Sequence, residues 1–273
     1  MPPKTGHHYP FQRGWLRPGI ILLVVVLIAL GIATAATKLR ANADSTKPAS
    51  SCPDLVIPAY FADWDPVLTM KPAPADLILD LPNGVGAGIA PDPAFQAQIR
   101  KAESLNITIL GYSSTVDGLR PAGQVEADIR DYKAWYGVTH IFFDRVSGQP
   151  AQLGYYQELS EYTHQLDGPG SVWFNPGAFP DQAYMSYGDV VMVFEGTYAQ
   201  YTTEQVPSWV RNYPAGRFAN TIYDASSSDL PNALKLAGER HALHVFVTDG
   251  TGGNPYAGVP SYWSSELTDS CGP

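Results

Sequence analysis

Eight short runs of apolar and β-branched residues recur along the chain, each closed by a polar or turn-forming residue. They are LVIPAYF (55–61), LILDLP (77–82), ITILGYSS (107–114), HIFFDRV (140–146), SVWFNPG (171–177), VVMVFEG (190–196), RFANTIYDA (217–225) and HVFVTDG (244–250). Their apolar positions are nearly continuous instead of alternating, which is the pattern of strands buried on both faces of a parallel sheet. Several intervals between the runs carry helical spacing. Val125, Ile129, Tyr132 and Trp135 fall at i, i+4, i+7 and i+10, and Tyr155, Leu159, Tyr162 and Leu166 repeat nearly the same interval. Asp229 before Leu230-Pro231, and Pro180-Asp181, read as helix starts. Strands and amphipathic helices in eightfold alternation predict an α/β fold, a single compact (β/α)8 barrel of the TIM type over residues 54–270, in preference to an open doubly wound sheet.

The N-terminal pattern is different. Gly19 to Ala36, GIILLVVVLIALGIATAA, contains no charge, and at ~1.5 Å per residue a helix of this length spans ~27 Å, close to the hydrocarbon thickness of a bilayer. Residues 1–18 are a short basic tail, and its Lys4, Arg13 and Arg17 predict that this end stays in the cytoplasm. Residues 19–36 are therefore expected to be a transmembrane signal anchor, with the barrel carried outside the cytoplasm on a linker, residues 37–53. A cleaved signal peptide is the competing reading, since Thr34-Ala35-Ala36 and Ala41-Asn42-Ala43 offer small-residue cleavage sites, and it would make the protein secreted.

Composition sharpens the picture. A chain of 273 residues, 45% hydrophobic and 16% charged, has ample material for a large core. Residues 1–43 hold five of the 17 basic residues and none of the 26 acids, so 12 basic face 26 acidic residues beyond them, a formal −14. So acidic a body repels phosphate backbones, which excludes nucleic acid as an expected partner. Cys52 and Cys271 are the only two cysteines. In an oxidising compartment a disulfide between them would join the two ends of one domain.

Chemistry in such a barrel belongs at the C-terminal ends of the strands. Here strand after strand ends in a polar group: Asp80, Tyr112, Asp144, Asn175, Glu195, Tyr223 and Asp249. A carboxylate such as Glu195, closing an apolar strand at the mouth of a pocket, is held toward its protonated form by desolvation, as a general acid requires. Tyr60 at the end of the first strand is a candidate sugar platform. Asp63-Trp64-Asp65 reads as a helix cap, and the Gly250-Thr-Gly-Gly253 loop is a poor anion site beside Asp249. His241 and His244 lack an acidic neighbour in sequence, so no metal is expected, and no G-x-S-x-G nucleophile signature is present.

Taken in order, VIPAYF, ILGYSSTVDG, VEADIRDYKAWYGVTHIFFD, WFNPG, VVMVFEGTYAQY, PSWVRNYP, FVTDG, NPY and PSYW resemble the spherulin 4 family, spherulation-specific family 4, over residues 55–264. That family looks like glycoside hydrolases of (β/α)8 fold, related to fungal endo-acting enzymes that cut galactosamine-containing polysaccharide. The resemblance implies a hydrolase of an amino-sugar polysaccharide with Asp144 and Glu195 as its paired acids, and together with the N-terminal segment the expectation is an extracytoplasmic monomer that needs no cofactor. Asp144 is assigned as nucleophile and Glu195 as acid/base in a retaining scheme, which needs carboxyls ~5 Å apart, against ~6.5–9.5 Å for inversion. Tyr60, Asp80, Tyr112, Arg145, Asn175, Tyr223 and Asp249 are the expected substrate-binding residues. One departure stands out: active relatives tend to carry Asp-Glu where this chain has Asp144-Arg145. If Arg145 turns into the pocket it opposes a cationic sugar, and the alternative is then a catalytically inactive barrel that binds cell-wall or extracellular glycan.

Overall fold

The structure, a computed structural model, describes residues 53–269 apart from Asn83 and Pro169. The expected basic tail, the apolar segment 19–36 and both cysteines lie outside the described residues. Among the described residues no helix is long and apolar enough to cross a membrane.

Eight strands form a closed parallel barrel in sequence order: β1 Asp54–Ala59, β2 Asp76–Leu79, β3 Thr108–Ser114, β4 His140–Asp144, β5 Val172–Phe174, β6 Val190–Thr197, β7 Phe218–Tyr223 and β8 His244–Val247. Closure is made by β8 on β1, with His244 opposite Asp54 and Val245 opposite Leu55. The outer ring is uneven. It holds α1 Asp65–Leu68, α2 Pro93–Ser104, α3 Ala122–Asp131, α4 Leu153–Gln165, α5 Tyr198–Thr203, α6 Leu230–Glu239 and α7 Trp263–Asp269, while β5 is followed only by a 3-10 segment, Gln182–Ser186. α3 runs on into a π-helical turn, Tyr132–Tyr136, which stops at Gly137, whose φ of 73° is in the left-handed region. α7 is tied to the barrel by Glu266, which is fully buried and accepts from the Val247 N–H at 2.6 Å.

Two packing layers follow from the alternation of side chains along each strand. Val56, Ile78, Leu110, Tyr112, Phe142, Trp173, Val190, Met192 and Ala219 form one cluster drawn from strands alone, the barrel interior. The intervening residues, such as Ile57, Leu77, Ile109, Phe143 and Val191, pack outward against Val125, Ile129, Tyr156 and Leu159 of the helices.

One irregularity decides where the chemistry lies. Between Met192 and Phe194 the register of β6 against β7 shifts by one residue, a β-bulge. Val193 packs outward, and so does Phe194, whose ring lies 4.6 Å from that of Tyr201 of α5. Strict alternation from Met192 would send Phe194 inward and Glu195 outward. The extra residue resets the parity and turns Glu195 into the barrel.

Candidate active site

The C-terminal mouth of the barrel opens into a cavity of about 870 Å³. Its walls are largely aromatic, with Tyr60 and Phe61 after β1, Phe95 of α2, Tyr112 of β3, Tyr223 of β7 and Tyr256 from the loop after β8. Asp80 and Glu195 are the two carboxylates that line it. Tyr60 meets Tyr112 and Tyr256 edge to face, each at a centroid distance of 5.7 Å, which fixes the walls against one another.

The inward parity of β4, β5 and β6 brings Asp144, Asn175 and Glu195 together. Asn175 is the hub: its Nδ2 donates to Asp144 Oδ1 at 2.8 Å and to Glu195 Oε2 at 2.6 Å. Its Oδ1 accepts from the Gly177 N–H at 2.9 Å, which fixes the orientation of the amide. The second oxygen of each carboxylate is held by a tyrosine. Tyr112 Oη donates to Asp144 Oδ2 at 2.7 Å, and Tyr256 Oη lies 3.0 Å from Glu195 Oε1 and 3.2 Å from Thr221 Oγ1. Tyr256 reaches this position because the loop after β8 folds tightly, and a Cβ at Gly250 would stand 1.9 Å from the Pro255 carbonyl oxygen.

Burial pushes all three carboxyls of the mouth above their usual range. For Asp144 this is opposed by the bonds from Tyr112, the Arg145 backbone N–H and Asn175, and by the charge of Arg145. For Glu195 the bonds from Asn175 and Tyr256 oppose it, while the charge of Asp144 adds to it. Asp80 is pushed up to about 6 by burial and then by Asp144. The charge of Asp144 adds to the upward push on both Glu195 and Asp80, which favours an ionised Asp144 beside a protonated neighbour. Two adjacent carboxyls of unequal acidity, one anionic and one protonated, are the pair that a nucleophile and a general acid require.

Of the nine residues expected at the site, seven gather at the mouth: Tyr60, Asp80, Tyr112, Asp144, Asn175, Glu195 and Tyr223. Asp144 and Asn175 sit behind the cavity surface, bonded to residues that line it. The other two are elsewhere. Arg145 follows the inward Asp144 and so faces out, its φ of 51° turning the chain away, and its Nη2 donates to Asp117 Oδ2 at 3.0 Å in an exposed ion pair. Asp249 continues the outward series of Val245 and Val247, and its carboxylate accepts from the Ser261 N–H and Oγ. Sequence reasoning missed Tyr256 and Thr221. The NPY motif marked the loop of Tyr256, but a loop residue gives no parity from which its direction can be read. At the opposite end of the barrel, His244 Nδ1 lies 3.4 Å from Asp76 Oδ2, an acidic neighbour supplied by β2. Among the described residues no group of three His, Cys, Asp or Glu could hold a metal ion.

Comparison with known proteins gives one consistent relationship. Spherulation-specific family 4 (Spherulin4) matches residues 54–269. Spherulin-4 of Physarum polycephalum is 27% identical over 247 residues, covering 85% of this chain and 73% of that protein. The crystal structure of Aspergillus clavatus Sph3 in complex with GalNAc aligns with a TM-score of 0.71 at 27% identity, over 81% of this chain and 98% of that one.

Proposed function

Because the chain belongs to spherulation-specific family 4, we propose that its barrel is a glycoside hydrolase that cuts an amino-sugar polysaccharide, with Asp144 as nucleophile and Glu195 as acid/base. The observation that carries this reading is the single amide nitrogen of Asn175 bonded to both carboxylates at 2.8 and 2.6 Å. Two oxygens that share one nitrogen lie within roughly 5 Å of each other, so the facing oxygens of the two carboxyls come as near as the ~5–5.5 Å spacing of a retaining pair asks, which supports that scheme over an inverting one. The likeness to Sph3, whose crystal contains GalNAc, supports an amino sugar as the substrate unit.

In the first step the protonated Glu195 gives its proton to the glycosidic oxygen while Asp144 attacks the anomeric carbon, so one C–O bond forms as the other breaks. In the second step Glu195, now a carboxylate, takes a proton from water, and the hydroxide displaces Asp144 from the sugar. Tyr112 and Asn175 keep Asp144 anionic and aimed, and the aromatic walls exclude water and present faces to the sugar rings.

The inactive, binding-only alternative needed Arg145 in the pocket, where it would repel a cationic sugar. Its ion pair with Asp117 outside the cavity removes that obstacle, and its remaining effect on Asp144 is to favour the ionised nucleophile. The same proposal puts the barrel outside the cytoplasm, anchored through residues 19–36 or released after them. The test is to incubate the full chain in mild detergent with galactosamine and glucosamine polymers, N-acetylated and de-N-acetylated. New reducing ends from a galactosamine polymer are expected. Binding to these polymers without any new reducing end would overturn the hydrolase reading in favour of a glycan-binding barrel.

A further inference from the structure

The turn after β3 bends in an uncommon way. Val116 and Asp117 have φ values of 50° and 58°, and Arg145, which directly follows Asp144 at the end of β4, has 51°. A left-handed backbone is costly for a β-branched residue such as valine, and it persists only where the surroundings over-determine it. The bonds of this turn converge on the backbone around Asp144. The Thr115 N–H donates to the Asp144 carbonyl at 2.9 Å, and the Asp117 N–H donates to the Arg145 carbonyl at 2.8 Å. The fully buried Thr115 hydroxyl lies 2.9 Å from the Asp144 carbonyl oxygen and 2.7 Å from that of Arg145. Carbonyls only accept, so the Thr115 proton points at them and its oxygen accepts from Tyr156 Oη at 3.0 Å, which itself accepts from the Ser147 N–H at 2.9 Å. The exposed ion pair of Arg145 Nη2 with Asp117 Oδ2 then ties the turn to the end of β4 a second time.

We propose that this turn is a latch for the nucleophile, in which Thr115 and the Asp117–Arg145 pair are positioning residues that fix the backbone of Asp144 and so hold its carboxylate against Tyr112 and Asn175. This rests on the reading of Asp144 as the nucleophile but not on turnover. Tyr112 and Asn175 belong to the two neighbours of β4, so their bonds of 2.7 and 2.8 Å to the two oxygens of Asp144 last only while the end of β4 stays in place between them. A shift of about 1 Å in an attacking group can cost a hundredfold in rate. Arg145 thus acts on the site from outside the cavity, through Asp117, and a glutamate in its place would face that aspartate with like charge. Loosening the latch withdraws Tyr112 and Asn175 from a buried carboxyl. Apart from Arg145, the other groups whose charge acts with it are Tyr60 after β1, Asp80 after β2, Tyr156 of α4 and Glu195 of β6, none of them a cation, so its proton is then lost at higher pH.

The test compares the full chain with Thr115→Val and Arg145→Glu, and with the conservative Thr115→Ser and Arg145→Lys. Each is assayed on galactosamine polymer and followed in a carboxyl-carbon NMR titration, where the Asp144 signal is the one that disappears in Asp144→Asn. Thr115→Val and Arg145→Glu are expected to lower kcat by about ten- to a hundredfold with KM little changed, and to move the acidic limb of kcat/KM, where Asp144 must be ionised, to higher pH. Thr115→Ser and Arg145→Lys should keep most of the activity. Thr115→Val alters no charge, so its titration decides: a raised pKa of Asp144 supports the latch, and an unmoved one overturns it even where kcat falls, since that fall then belongs to lost structure. Arg145→Glu that cleaves faster than the wild type overturns it as well. If the wild type cleaves no polymer, the hydrolase reading falls, and the Asp144 titration in Thr115→Val still decides whether the latch stands.

Discussion

Asn175 makes three bonds through one amide, two from Nδ2 to the carboxylates and one into Oδ1 from Gly177, so a flip would forfeit all three. Asn175→Ala should lower kcat about 10²–10³-fold, the usual cost of removing a fixed donor from a charge-stabilising site. Each lost donor raises the pKa of the carboxylate it served. The alkaline limb of kcat/KM, where Glu195 loses its proton, should therefore move to higher pH in this variant. Tyr256→Phe should move it in the same direction by less. A limb that stays in place in both variants would mean that Glu195 is not the titrating acid. Asp80 gives a stability test. Its folded value of about 6 lies above the ordinary 3.8, so the folded state keeps a proton that the unfolded chain releases between about pH 4 and 6. Stability falls as pH rises across that window, and the loss persists above it. Asp80→Asn, which cannot ionise, should be more stable than the wild type at pH 7 by roughly 1 kcal/mol after solvent screening, and the two should converge below pH 4. Thermal melts at the two pH values measure this. Asp144 and Glu195 were legible in the sequence because each ends an apolar strand. The direction of Arg145 and Asp249 was not, because parity has to be counted from a neighbour known to face inward.

The strands could be read because buried parallel strands are written as continuous apolar runs, and each observed strand overlaps its run. The helices were harder. In α4 the fully buried stripe is Tyr156, Leu159, Ser160 and Thr163, which shares Leu159 with the expected set, while Tyr155, Tyr162 and Leu166 pack half-buried against the same core. Its two polar members are hidden from a hydrophobic pattern by their own bonds, Ser160 Oγ to the Tyr187 carbonyl at 2.7 Å and Thr163 Oγ1 to the Leu159 carbonyl at 2.8 Å. The bulge in β6 leaves no mark in VVMVFEG, yet it is what aims Glu195. Deleting Val193 should remove the bulge and, with Met192, Phe194 and Glu195 then alternating in, out, in, leave Glu195 facing the barrel and activity largely intact, whereas Val193→Ala, which keeps the bulge and loses outward packing, should cost stability with little effect on activity. The loop after β8 offers a milder probe. Gly250→Ala would set a Cβ 1.9 Å from the Pro255 oxygen, so the loop must shift. A stability loss of about 1–3 kcal/mol is expected, together with a fall in kcat/KM from the loosened Tyr256–Glu195 contact. A variant with wild-type kcat/KM would show that Tyr256 has no part in holding Glu195.

At the scale of the whole molecule, the barrel brings its first and last strands together, since β8 closes on β1, and Trp263 of α7 donates to the Pro66 carbonyl of α1. The proposed Cys52–Cys271 disulfide would close a loop of about 220 residues, for which chain entropy sets an upper figure of ~5 kcal/mol. Peptide mapping of natively produced material under non-reducing conditions should recover the linked pair, and two free thiols would remove the claim. Protein anchored through residues 19–36 should remain with membranes after a carbonate wash. The central claim is that Asp144 and Glu195 together cut a glycosidic bond, and the most direct measurement is the rate of reducing-end release from galactosamine polymer, N-acetylated and de-N-acetylated, by the wild type, Asp144→Asn and Glu195→Gln. The account expects the wild type to cleave and each variant to be slower by three orders of magnitude or more with its melting temperature nearly unchanged, because these groups stabilise charge instead of packing the core. Cleavage by Asp144→Asn at the wild-type rate would contradict it and move the search for the nucleophile to Asp80.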